Sequence, residues 1–87
     1  MTIQEQIEIL SQGRKTIQEI DEQIVELLNI RFFHCKNIMK LKRANGKPLF
    51  DSEVEAQKIK TLSLCSDYKG MVEVIWPVIM CYAKTLE

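Results

Sequence analysis

Residues 24–42, IVELLNIRFFHCKNIMKLK, carry the repeat that most limits what this chain can become. Ile17, Ile20, Ile24, Leu27, Arg31, Cys35, Ile38 and Lys42 step by three and four residues, the period of one helix face. No stretch alternates apolar and polar residues as a half-buried strand does. The punctuation is sparse. NGKP (Asn45 to Pro48) and CSDYKG (Cys65 to Gly70) are turn signals. The pattern predicts an all-α chain of three helices: a long one ending near Arg43, a short one from about Ser52 to Leu64, and a medium one from about Lys69 to the end.

Two positions disturb that pattern. Gly13 costs roughly 1 kcal/mol relative to alanine inside a helix. TIQE occurs at Thr2 to Glu5 and again at Thr16 to Glu19, and each copy fits a capping box. The sequence therefore allows the first helix to break near Gly13, leaving residues 3–10 as a separate piece. Pro77 removes one backbone bond from the third helix and should kink or loosen it.

The 87 residues are read as one domain, 1–87. A chain this short buries only about 60% of the surface its unfolded form exposes, so association is the natural remedy for a marginal core. Twelve basic and twelve acidic residues cancel and are mixed along the chain. That argues against a partner held by bulk charge, whether nucleic acid or membrane surface. Cys35, Cys65 and Cys81 are odd in number and lack ligand spacing. They read as reduced, semi-buried residues of a cytoplasmic protein, not as a disulfide framework or a metal site. No segment reads as a signal peptide or a transmembrane helix.

The cations raise the functional question. Arg31 and Lys42 stand on the stripe that should be apolar. Eleven residues of ideal helix put them about 20° apart around the axis and about 16 Å apart along it. Long basic stems can snorkel, covering apolar surface while lifting the charge to water. An inward cation needs an anion instead, and a ligand is one source. Arg14 lies about 25 Å before Arg31 and about 100° around. On one continuous helix it cannot share a small ligand with Arg31 of the same chain, although a symmetric dimer would allow it. An exposed surface arginine is the structural alternative. Further on, Asp51 or Ser52 can cap the second helix. Glu53 and Glu55 suit its positive end. With Ser52 as the cap, Glu55 falls at the third helical position and capping alone would account for it.

Together these elements are specific. An arginine precedes IxxIDxxIxxLLxxR, then come IMKLK, a turn and KPxxDxxxE. From about Leu10 to Glu87 the chain resembles the all-α class of chorismate mutases, with a weaker match in the last helix through Trp76 and Ile79. The resemblance implies an intertwined homodimer of three-helix subunits whose long first helix spans both halves. It implies that the substrate is chorismate or a close analogue, with no metal and no cofactor. Arg31 and Arg14 of the partner subunit would bind the two substrate carboxylates. Lys42 would hydrogen-bond the ether oxygen. Glu55 and the backbone near Asp51 would hold the ring hydroxyl. The reaction implied is the Claisen rearrangement of chorismate to prephenate in aromatic amino-acid biosynthesis, which needs no nucleophile.

Three positions depart from the family pattern. Val54 stands where bacterial members commonly carry an arginine, Ala83 where a serine often contacts a carboxylate, and Glu87 where a glutamine usually donates to the ether oxygen. A carboxyl group donates only when protonated, so a catalytic Glu87 implies activity that rises as pH falls; a fraying terminal residue is the alternative. Lys58 and Lys84 fall at positions that are often apolar near the pocket. Losing an arginine and gaining an acid makes the pocket less positive, which would suit an ammonium-bearing substrate such as 4-amino-4-deoxychorismate. Isochorismate-pyruvate lyase is a third activity on the same fold. A non-catalytic helical dimer, serving as a regulatory or interaction module, is the reading from a different class.

Overall fold

The computed structural model of the protein describes residues 1–86, and Glu87 lies outside the described residues. Three helices follow one another: α1 (Ile3–Ala44), α2 (Ser52–Ser63) and α3 (Met71–Ala83). Among the described residues there is no strand. The chain divides into two compact units, Met1–Arg31 and Phe32–Glu87.

The first unit is α1 alone. Thr2 caps it, its hydroxyl oxygen accepting from the Glu5 N–H at 3.1 Å and donating to Glu5 Oε1 at 3.0 Å. The first TIQE is thus a true helix start. The second is not. The Thr16 hydroxyl donates to the Gln12 carbonyl at 3.0 Å, one turn back within the helix. The break that the sequence allows near Gly13 does not occur: α1 is continuous through it. A break would leave new ends with unsatisfied amides and carbonyls and would need a fresh nucleus. That outweighs the roughly 1 kcal/mol cost of one glycine. No described residue of this unit is buried. Ile17, Ile20, Ile24 and Leu27 are 59%, 47%, 47% and 65% exposed.

The second unit holds the end of α1 with α2 and α3. Its core is small and rich in methionine: Met39, Val72, Met80 and Ala83 are its buried residues. The rings of Phe32 and Tyr82 meet at 5.0 Å between centroids, tilted by 59°, within the range of favourable aromatic pairs. α2 packs against α3, and the Ser63 hydroxyl donates to Glu73 Oε1 across their junction at 3.4 Å. Gly70 starts α3 with φ of 79°, a left-handed conformation that favours glycine. The third helix begins two residues later than Lys69 and stops at Ala83, short of the expected run to the chain end. Pro77 sits inside α3 without ending it. Cys35 is half-buried as expected, but Cys65 and Cys81 are exposed. No helix among the described residues is long and apolar enough to cross a membrane.

Candidate active site

The end of α1 sets the first side chain of the site. Gly46, with φ of 65°, closes a Schellman turn: the Lys47 N–H reaches the Lys42 carbonyl at 2.8 Å, and the Gly46 N–H reaches the Arg43 carbonyl at 3.2 Å. Both bonds satisfy carbonyls that the helix end would orphan. NGKP is therefore the stop signal that fixes Lys42 in the last turn. The half-buried Lys42 Nζ donates to the Leu49 carbonyl at 3.4 Å, so the loop leaving α1 holds the ammonium in place.

The start of α2 sets the second group. Asp51 is the cap: Oδ1 accepts from the Glu53 N–H at 2.9 Å and from the Val54 N–H at 3.3 Å. A charged cap gains from the helix dipole in addition to the hydrogen bonds, which accounts for Asp51 serving in preference to Ser52. The consequence is positional. Glu55 falls one residue beyond the position a capping box requires, and its side chain is released from that duty. It pairs instead with the last helix, where Lys84 Nζ lies 3.2 Å from Glu55 Oε1 and donates to Oε2 at 3.3 Å. The same ammonium lies 5.5 Å from the centre of the Phe50 ring, within cation–π range.

Lys42, Lys47, Pro48, Leu49, Phe50, Asp51, Val54 and Glu55 line one cleft of about 330 Å³, at the lower end of small-molecule sites. Four residues expected from the sequence, Lys42, Asp51, Val54 and Glu55, thus share one wall. The lining charges balance, Lys42 and Lys47 against Asp51 and Glu55. Other expected residues lie elsewhere. Ala83 is buried in the core at 7% exposure and does not line the cleft. Arg14 and Arg31 belong to the first unit, the former exposed and the latter half-buried. Glu87 lies outside the described residues. Lys58 is exposed on α2. Among the described residues no cluster of three or more histidines, cysteines or carboxylates could hold a metal.

What such a cleft offers is a held ammonium, a held carboxylate and apolar walls, a set suited to a small molecule that carries both hydrogen-bond donors and acceptors. The family described as Chorismate mutase type II matches the chain over residues 13–87. The chain belongs to the chorismate mutase type II family. Membership supports chorismate mutase activity and binding of chorismate in general, and the all-α architecture accords with it. Comparisons with curated proteins and with solved structures gave no significant match. The residue that sequence reasoning underused is Lys84. It was visible only as a cation where the family is often apolar, and no spacing rule links positions 29 residues apart.

Proposed function

We propose that the chain is a cytoplasmic chorismate mutase that converts chorismate to prephenate in aromatic amino-acid biosynthesis. It works as a homodimer in which residues 1–87 form one domain per subunit. The observation that carries this reading is the cleft shared by Lys42, Asp51, Val54 and Glu55 in a chain of this family.

The reaction breaks one carbon–oxygen bond and forms one carbon–carbon bond within a single molecule, so the protein has two tasks. It restricts the flexible enolpyruvyl arm over the ring, which converts conformational freedom into proximity. Arg31 and Arg14 of the partner subunit do this by charge-assisted bonds to the two carboxylates. It also stabilises the negative charge that grows on the ether oxygen. Lys42 serves there, and a preorganised donor in a site shielded from water is worth roughly 3–4 kcal/mol. Glu55 accepts the ring hydroxyl, beside the backbone at Asp51. Val54 supplies an apolar wall where relatives place an arginine, Ala83 supports the site from the core, and Glu87 adds a donor when protonated.

The bare face of the first unit supports the dimer. Helices in proteins draw most of their stability from packing an amphipathic face, and the exposed Ile17, Ile20, Ile24 and Leu27 form the kind of stripe a second copy covers. Turnover decides the reading. Purified protein is incubated with chorismate, its 4-amino analogue or isochorismate, and substrate loss is followed by ultraviolet absorbance. Consumption of chorismate with formation of prephenate is expected. No turnover of any of the three leaves a non-catalytic dimer and overturns the proposal.

A further inference from the structure

Glu55 faces the cleft, yet both of its oxygens are already engaged from behind. Lys84 is at the C-terminal cap of α3, does not line the cleft, and spans the carboxylate at 3.2 and 3.3 Å. Phe50, which does line the cleft, has its ring centre 5.5 Å from the same ammonium. A lysine at a helix C-terminus is favourable on dipole grounds alone. Dipole compensation does not require the side chain to leave its own helix for a carboxylate on α2, and here it does.

We propose that Lys84 is a specificity-determining positioning residue that acts through Glu55, making the site select a substrate with a neutral ring hydroxyl over one with a ring ammonium. The proposal rests on the site reading above. Each carboxylate oxygen has two acceptor positions. One ammonium that donates to Oε2 and lies 3.2 Å from Oε1 leaves acceptor capacity on each, enough for one hydroxyl donor. A hydroxyl completes the arrangement without displacing anything. A substrate ammonium meets a carboxylate whose charge is already matched and a second cation behind it, and like charges at such range are unfavourable. Lys84 thereby reverses what the loss of an arginine at Val54 suggests. By charge count, the cleft lining alone would accept an ammonium. With Lys84 behind Glu55, it favours the hydroxyl.

The test compares kcat and KM for chorismate and for 4-amino-4-deoxychorismate in the wild type, Lys84→Met, Lys84→Gln and Lys84→Arg. Lys84→Met keeps the stem over Phe50 and removes the charge. The lysine side chain is 41% exposed, so no core cavity opens, and Lys84→Gln provides a second neutral variant. The wild type should prefer chorismate. Both neutral variants should shift the ratio of kcat/KM toward the amino substrate by about tenfold, the scale of one like-charge contact in a partly exposed site. The shift should appear in the ratio for the two substrates and not as a common loss of kcat/KM. Lys84→Arg should keep the wild-type ratio. Equal effects on the two substrates, a wild type that prefers the amino compound, or an arginine variant that behaves like the neutral ones overturns the proposal while leaving the site reading intact. A wild type inactive on both substrates overturns the site reading and this proposal with it.

Discussion

Two inactive variants should restore activity when mixed. In the proposed dimer each site takes Lys42 from one chain and Arg14 from the other. The ideal-helix separation of Arg14 and Arg31, about 25 Å, prevents one chain from supplying both to one small substrate. Take Arg14→Ala and Lys42→Ala, each of which alone spoils both sites of its dimer. Unfold and refold an equal mixture, or exchange subunits slowly. Random pairing makes about half the dimers mixed. In a mixed dimer one site receives both substitutions and the other receives neither. About one quarter of all sites should then be intact, and the mixture should recover about one quarter of wild-type activity per chain. Arg14 is exposed and Lys42 half-buried, so neither substitution removes a core side chain and both variants should fold. Chorismate consumption before and after mixing is the assay. If Arg14 and Lys42 act within one chain, every site of a mixed dimer carries one substitution and nothing is recovered. That result would refute the cross-subunit reasoning even if the wild type is active.

Two further predictions concern the scaffold. A β-carbon added at Gly13 or Gly46 would meet nothing within 4 Å, so the backbone alone decides the effect of alanine. Gly13→Ala should stabilise by about 1 kcal/mol, and Gly46→Ala, at φ of 65°, should destabilise by about 1–2 kcal/mol; shifts of the same sign in urea denaturation would contradict this. Asp51→Ala should cost about 1 kcal/mol, a fall in Tm of about 4–8 °C for a domain of this size, whereas Asp51→Asn keeps a capping oxygen and should lose much less.

Much of this was readable in the sequence because it is local. Helix periodicity, NGKP as a stop and the acids after Pro48 are effects of near neighbours, and they located the end of α1 and both ends of α2 to within a residue or two. Where local signals competed, the sequence left the outcome open. Ser52 and Asp51 both qualify as caps, and only the observed bonds from the Glu53 and Val54 amides to Asp51 release Glu55. The second TIQE has the letters of a cap, but helix continuity overrides them. The Lys84–Glu55 pair joins residues 29 positions apart, and opposite charges so separated carry no signature that distinguishes partners from bystanders. Arg14 and Arg31 are tied to one site by helix geometry and resemblance, which are not properties of near neighbours.

The most direct test of the whole account is the rate of chorismate rearrangement by Lys42→Ala against the wild type. Among the described residues the Lys42 ammonium donates to the Leu49 carbonyl at 3.4 Å, so its removal should cost stability only about 0.5–1.5 kcal/mol. If its ammonium stabilises the ether oxygen in the transition state, kcat should fall about 10²–10³-fold while the circular dichroism spectrum and the dimer persist. Equal rates for the two proteins would contradict the mechanism.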